Sequence, residues 1–222
     1  MNIITKNTVK KPLDIKESIT PREVMALDNL VNGIAREGNV FVEIGTWKGH
    51  SASIIANVLK GKGGCLYCID HWKGNEGTEN IDLIDGDNIY RIFEHNMKCL
   101  GLWDTITPMK MDSITASERF LDRSVDFLFL DADHRYIPFT KDLHTWFPKI
   151  KKGGVICGHD CEQFYSNLTE AQKTMINRCL DIDFIESYKL KCHPGVIRGL
   201  YDCLGDDYGI LANTNIWFMR IE

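Results

Sequence analysis

The stretch from Val125 to Tyr136, VDFLFLDADHRY, constrains the fold most, because its apolar run, Phe127 to Leu130, ends abruptly in a polar cluster. A strand that is apolar along its whole length is buried on both faces, as in parallel sheets covered by helices. Open sheets of this kind bind their ligands at the carboxyl ends of the strands. Asp131, Asp133 and His134, which follow the run directly, are therefore the first candidates for chemistry.

Apolar runs of strand length alternate with segments of helical periodicity through most of the chain. The strand-like runs lie at residues 39–44, 65–69, 105–109, 125–130, 155–158 and 216–221. The helical segments lie at residues 21–34, 54–59, 88–100, 113–121, 139–150, 168–180 and 196–204. This alternation predicts an α/β fold with a doubly wound, mostly parallel sheet and helices on both faces. We expect a Rossmann-like sheet of about seven strands that includes the six runs above, with an antiparallel C-terminal strand.

Local signals mark where some of these elements begin and end. Thr20, Pro21 and Glu23 have the spacing of a capping box with proline at the first helical position, and Gly38 is typical of a helix stop. The segments 152–154 and 193–195 are rich in glycine or proline and are predicted as turns.

The composition is typical of a soluble globular protein and favours a small molecule over nucleic acid or a membrane as its partner. The chain has 222 residues, 44% of them hydrophobic, and no shift in composition, so we expect one domain over residues 1–222. A formal net charge of -5 without a basic block argues against nucleic acid or an anionic membrane as the main partner. No segment approaches the ~18 apolar residues of a membrane span, and the first residues lack the apolar core of a signal peptide. We therefore predict a cytoplasmic protein; a homo-oligomer is left open.

A glycine-bearing turn follows the first strand and precedes a helix. Glu43 lies near the end of the strand, and Gly45 and Gly49 lie on the turn, which would let a ligand approach backbone N–H groups at the start of the helix. Asp70 ends the next strand, where an acid can bind the ribose hydroxyls of a nucleotide. The spacing is not GxGxxG, which argues against a nicotinamide cofactor, and a simple tight turn remains the alternative.

Acidic and histidine side chains recur at the ends of two neighbouring strands. Adjacent strands lie ~5 Å apart, so Asp131 can meet His159 and Asp160, and oxygen ligands with open water positions suit Mg²⁺. Polar residues that contact only backbone or water would give the same pattern. His134 lies three residues past Asp131, and its ordinary pKa of ~6.5 suits a general base, although a structural histidine is the alternative.

The glycine turn and the acids after it resemble the S-adenosylmethionine-binding motifs of class I methyltransferases. The resemblance implies that Gly45 and Gly49 admit the methionine part of the cofactor and that Asp70 binds the ribose. Asp112 and Ser113 would lie near the adenine, and Trp72 is the best aromatic candidate to stack on it. The complete predicted cofactor set is Glu43, Gly45, Thr46, Trp47, Gly49, Ser51, Asp70, His71, Trp72, Asp112, Ser113 and Asp131.

The sequences at 131–136, 153–156 and 159–160 resemble the metal-dependent O-methyltransferases, both of the macrocin type and of the catechol and caffeoyl-CoA type. The resemblance implies that Asp131, His159 and Asp160 form a divalent-cation site with Mg²⁺ as the first choice. The catechol type has Asp where this chain has His159, and histidine would permit a softer ion such as Mn²⁺ or Fe²⁺. His134 matches the macrocin type, in which histidine takes the place of the catechol type's lysine, and is predicted to be catalytic.

We therefore predict a metal-dependent O-methyltransferase that acts on a small hydroxylated acceptor such as a sugar or a catechol-like phenol. An N-terminal arm at residues 1–19, a loop at 73–87 and a segment at 161–195 would form the acceptor walls. A nicotinamide-dependent oxidoreductase, a non-catalytic cofactor-binding or scaffold protein and a metal-dependent hydrolase remain as alternatives.

Overall fold

The computed structural model describes residues 11, 12, 15, 19–74 and 88–222. Its helices are α1 (Pro21–Ile34), α2 (His50–Lys60), α3 (Asn88–Cys99), α4 (Ser113–Ser117), α5 (Tyr136–Trp146), α6 (Glu170–Arg178) and α7 (Pro194–Leu204). Its strands are β1 (Val40–Ile44), β2 (Cys65–Asp70), β3 (Ile106–Lys110), β4 (Val125–Leu130), β5 (Ile150–Gly158), β6 (Ile185–Glu186), β7 (Lys191–Cys192), β8 (Gly209–Ile210) and β9 (Trp217–Arg220). The predicted arm at 1–19 and loop at 73–87 lie almost entirely outside the described residues.

The main sheet has seven strands in the order β3-β2-β1-β4-β5-β9-β8. The pairs β1–β2, β2–β3, β1–β4 and β4–β5 are parallel, whereas β9 is antiparallel to β5 and to β8. The predicted fold class is confirmed. The chain runs outward in one direction through β2 and β3 and in the other through β4 and β5. The carboxyl ends of β1 and β4 therefore flank the switch point, where sheets of this type hold ligands.

Helices cover both faces of this sheet. On one face, Val42 and Leu128 share a buried core with α4, α5 and α7. On the other, Phe41 and Phe127 pack with α1, α2 and α3. Since neighbouring residues of a strand point to opposite faces, a central strand covered by helices on both faces carries mostly apolar residues. This explains the unbroken apolar run from Phe127 to Leu130 in β4.

The local signals at α1 are confirmed, although its predicted stop is not. Thr20 and Glu23 form the capping box, but the helix ends at Ile34, four residues before Gly38. Proline fits the first position of a helix as well as a turn, and the predicted turn at 193–195 instead begins α7. The predicted turn at 152–154 lies inside β5, where a register shift against β4 accommodates it.

Two further differences concern the ends of predicted elements and the segment that follows β5. The helix expected over 113–121 is only the five-residue α4. The segment 161–195 contains the unpredicted two-stranded hairpin β6–β7 in addition to α6.

Within the described part of the chain, no helix is both long and apolar enough to cross a membrane.

Candidate active site

A cavity of about 640 Å³ opens at the carboxyl ends of the central strands. Its wall combines the predicted cofactor residues with the predicted metal and catalytic residues. Of the residues singled out from the sequence, it includes Gly45, Thr46, Trp47, Ser51, Asp70, His71, Asp112, Ser113, Asp131, Asp133, His134, His159 and Asp160. Glu43, Gly49 and Trp72 do not line it.

Asp70 fixes the shape of the glycine turn. Its Oδ2 accepts a hydrogen bond from the Trp47 amide at 2.8 Å, and its Oδ1 accepts one from the Trp72 amide at 2.6 Å. Burial raises the pKa of Asp70, and the two amide N–H groups oppose that rise. The carboxylate thus ties the end of β2 to the turn that follows β1.

The two glycines of the turn are required by contacts within the protein. Gly45 has φ +87°, and a Cβ atom there would lie 1.9 Å from the Asp131 carbonyl oxygen. Gly49 has φ +90°, and a Cβ atom there would lie 2.6 Å from Cε of Met97 and 2.9 Å from the Phe93 ring. Their backbone conformations also favour glycine. Close packing of the turn against β4 and α3 therefore explains both positions.

Glu43 and Trp72 lie beneath the turn. The Glu43 side chain is fully buried, and no hydrogen bond of regular geometry reaches its oxygens from the described residues. Burial raises the pKa of Glu43 to about 8, with nearby Ser51 and Thr46 opposing the rise. The Trp72 indole is 1% exposed and donates to the Trp47 carbonyl at 2.7 Å. Trp72 supports the turn from the core and offers no face to the cavity.

Asp112 and Ser113 lie where β3 leads into α4. Asp112 caps the helix by accepting a hydrogen bond from the Thr115 amide at 2.9 Å, and hydrogen bonding to Thr115 lowers its pKa. The Ser113 hydroxyl donates to Asp142, a buried residue of the cavity wall. Burial raises the pKa of Asp142 to about 6. The sequence does not indicate Asp142 as a site residue, because no motif marks its position on α5.

His134 is surrounded by three carboxylates. Its Nε2 lies 3.0 Å from Asp160 Oδ2 and 3.4 Å from Asp131 Oδ1, and its Nδ1 lies 3.0 Å from Asp183 Oδ1. Burial alone would lower the pKa of His134, but the carboxylates outweigh it and hold the pKa well above its usual value. The three carboxylates therefore favour the protonated form of the imidazole.

His159 bridges two acids on opposite sides of its ring. Its Nδ1 lies 3.0 Å from Asp160 Oδ1, and its Nε2 lies 3.2 Å from Glu23 Oε1 on α1. Burial lowers the pKa of His159, but these carboxylates raise it overall to about 11. Asp160 has φ +64°, a left-handed conformation that aspartate tolerates and that often marks functional sites.

Two overlapping sets of side chains have the geometry of a metal site. Asp131, His159 and Asp160 offer one ligand atom each within 4.8 Å of one another, and so do His134, Asp160 and His193. The first set is the one predicted from the sequence. Two carboxylate oxygens and one imidazole nitrogen form a donor set that fits a divalent cation.

The structure adds His193, which the sequence did not indicate. Its Nδ1 lies 2.7 Å from Glu162 Oε1, and its ring centroid lies 4.8 Å from that of His134. Gly195 makes this approach possible, because a Cβ atom there would lie 2.3 Å from the backbone oxygen of His134. The start of α7 therefore packs directly against the loop after β4.

Asp133, a candidate to which the sequence assigns no specific role, pairs with Arg135. The Arg135 Nε lies 2.9 Å from Asp133 Oδ1, its Nη2 lies 2.5 Å from Oδ2, and its backbone amide also donates to Oδ1 at 3.0 Å. A two-pronged pair of this kind fixes both side chains. Asp133 thus shapes the loop that carries Asp131 and His134.

Comparison with known proteins gives a family model and several relatives. The model describes a methyltransferase domain and matches residues 42–161, more than half of the chain. An uncharacterized protein from Acanthamoeba polyphaga mimivirus is 28% identical over 142 residues, which cover 62% of this chain and 58% of the relative. The chain spans less than two thirds of the length of the curated relatives it matches.

Solved structures share the fold at low sequence identity. An O-methyltransferase from Bacillus cereus in complex with SAH has a TM-score of 0.58 and 18% identity, covering 91% of this chain and 80% of that one. A SAM-dependent O-methyltransferase from Thermotoga maritima has a TM-score of 0.52 and 14% identity, covering 97% of this chain and 69% of that one.

Proposed function

Because this chain belongs to the methyltransferase-domain family, we propose that it transfers a methyl group from S-adenosylmethionine to a hydroxyl oxygen of a small acceptor. One observation carries the proposal: a single cavity is lined both by the turn that Asp70 holds and by the cluster around Asp131, Asp160 and His134. The first part suits a nucleoside-containing cofactor, and the second suits activation of a hydroxyl group.

The cofactor would lie along the ends of β1, β2 and β3. Asp70 is fixed by two backbone amides and can offer its remaining acceptor positions to ribose hydroxyls. His50 and Ser51 begin α2 in the cavity wall, where the helix N-terminus favours the carboxylate of the methionine part. Ser113 lies in the wall beyond β3, near the expected adenine. When bound, S-adenosylmethionine would supply a methyl group that its sulfonium has already activated.

Asp131, His159 and Asp160 would hold a divalent cation, Mg²⁺ first. When bound, the cation would lower the pKa of an acceptor hydroxyl and would neutralise the carboxylates that hold the proton on His134. Once its Nε2 proton has passed to solvent, His134 would accept the acceptor's proton through Nε2, while Asp183 orients the ring through Nδ1. A cation at His134, Asp160 and His193 would instead occupy the base, which makes the first set the better choice for catalysis.

Two other functions use only part of this arrangement. A non-catalytic cofactor-binding protein needs the glycine turn, but that function does not explain why Asp131, Asp160 and Asp183 surround His134. A nicotinamide-dependent oxidoreductase is disfavoured by the family match and by the glycine spacing. We propose a sugar, a catechol-like phenol or another small hydroxylated metabolite as the acceptor. We also propose that the protein is cytoplasmic and has no nucleic-acid or membrane partner.

Binding and turnover together test this function. In calorimetry, S-adenosylhomocysteine should bind and NAD⁺ should not, because the turn lacks the dinucleotide spacing. A screen of hydroxylated metabolites with tritiated S-adenosylmethionine should then yield at least one labelled product. Binding of NAD⁺ without S-adenosylhomocysteine would reject the proposal, and cofactor binding with no labelled acceptor would favour the non-catalytic alternative.

A further inference from the structure

Helix α1 reaches the proposed cation site through one buried carboxylate. Glu23 is 3% exposed, and its Oε1 lies 3.2 Å from His159 Nε2. The same oxygen accepts a hydrogen bond from the Asn215 amide at 2.8 Å. Its Oε2 accepts hydrogen bonds from the Thr20 amide at 2.8 Å and the Thr20 hydroxyl at 2.9 Å. Both oxygens of Glu23 are therefore held in place from within the protein.

Helix capping explains only half of these contacts. The capping box of α1 uses Glu23 Oε2 and leaves the contact with His159 unexplained. Capping also does not need a charge, because α6 has the same box with Gln172 opposite Thr169. The charge of Glu23 and its buried position next to His159 therefore indicate a second role.

His159 lies between Glu23 and the carboxylate of Asp160. The ring is 9% exposed, with Nδ1 towards Asp160 and Nε2 towards Glu23. Histidine ligands of metals commonly pair their second ring nitrogen with a carboxylate, which fixes the tautomer and the orientation of the ring. The contact at Nε2 has an ion-pair distance without regular hydrogen-bond alignment, so its effect is mainly electrostatic.

We propose that Glu23 is a positioning residue that keeps the proton of His159 on Nε2 and directs Nδ1 towards the cation. This inference rests on the proposed cation site at Asp131, His159 and Asp160. Cation binding would displace the Nδ1 proton into solvent, while the Nε2 proton stays opposite Glu23. The negative charge of Glu23 makes His159 a stronger ligand, although Glu23 itself lies outside the cavity wall.

A Co²⁺ titration followed by the visible absorption of the ion tests this role without any turnover. Glu23→Gln keeps an oxygen that can complete the capping box, as at α6, and replaces the charged oxygen that faces His159 and the Asn215 amide by an NH₂ group. We expect its affinity for Co²⁺ to fall by about 10–100-fold. Thr20→Ala is the matched control: it weakens the cap but leaves His159 and its partner charge, so its Co²⁺ affinity should stay within about threefold of wild type.

A double variant, compared with the two single variants, shows whether Glu23 acts through His159. If it does, Glu23→Gln should have little further effect in a His159→Ala background, because the ring is no longer there to be oriented. Equal affinities of wild type and Glu23→Gln, or additive effects in the double variant, would overturn the inference alone. A wild-type protein that does not bind Co²⁺ would overturn it together with the cation part of the proposed function.

A measurement on the wild-type protein covers the case in which the variants do not fold. With ¹⁵N-labelled histidine, added Zn²⁺ should shift the His159 Nδ1 resonance strongly, while Nε2 remains protonated. A Zn²⁺-induced shift at Nε2 instead, or at neither nitrogen, would overturn the inference.

Discussion

Replacing His134 with alanine should separate catalysis from cofactor binding. General-base catalysis typically contributes ~10²–10⁴-fold, so we expect kcat to fall by that factor, or about 3–5 kcal/mol in activation free energy. The three carboxylates that contact the ring, those of Asp160, Asp131 and Asp183, are not expected to take over this role. Asp131 and Asp160 are proposed cation ligands, and Asp183 lies on the far side of the ring at Nδ1.

Cofactor affinity should change little in this variant. Among the described residues, three carboxylates are the polar partners of His134, and none belongs to the turn held by Asp70. Tritium transfer gives kcat, and calorimetry with S-adenosylhomocysteine gives the affinity. Loss of that affinity along with kcat, or a kcat within tenfold of wild type, would refute the role of His134 as base.

Asp183→Asn is a milder variant that serves as a control for this prediction. It leaves the imidazole in place and removes only the charge 3.0 Å from Nδ1, so the loss in kcat should be roughly tenfold and smaller than for alanine. His134→Gln keeps a polar side chain among the carboxylates and should lose as much kcat as alanine with less loss of thermal stability. A larger effect of Asp183→Asn than of His134→Ala would contradict the proposed division of roles.

Further substitutions test the packing around the cavity. Gly195→Ala would bring a Cβ atom to 2.3 Å from the His134 carbonyl oxygen, so we expect about 1–3 kcal/mol of destabilisation in urea unfolding, together with reduced turnover. Gly33→Ala on α1 is its control: a Cβ atom there meets nothing within 4 Å, and stability should rise by roughly 0.5–1 kcal/mol. Asp70→Asn loses a charged acceptor for the Trp47 amide and should weaken S-adenosylhomocysteine binding by about tenfold or more; unchanged affinity would contradict its proposed role.

The strands and their ends could be predicted because their physical causes are local. The apolar run of β4 indicates directly that this strand is buried on both faces. The polar residues that follow it must therefore lie at the carboxyl end of the strand, where the chain leaves the sheet. The same reasoning brought Asp131, His159 and Asp160 together across neighbouring strands, and the structure gives them the geometry of a metal site. Their role as ligands remains a prediction.

The remaining contacts join segments that are far apart in the chain. Glu23 was correctly assigned to the α1 cap, but a local pattern does not reveal its second partner, His159, on another element. The proline and glycine that follow His193 predict a turn, but the same two residues also suit the start of α7, which is what the structure shows. Trp72 was expected near adenine from its neighbour Asp70, but burial in the core is decided by tertiary packing.

The most direct test of the account is methyl transfer before and after removal of divalent cations. With an acceptor found in the metabolite screen, tritium transfer from S-adenosylmethionine should be lost after treatment with EDTA and restored by Mg²⁺ or Mn²⁺. S-adenosylhomocysteine should bind in both conditions, because Asp70 and the glycine turn do not depend on the cation. Transfer that continues undiminished in EDTA would contradict the proposed roles of Asp131, His159 and Asp160.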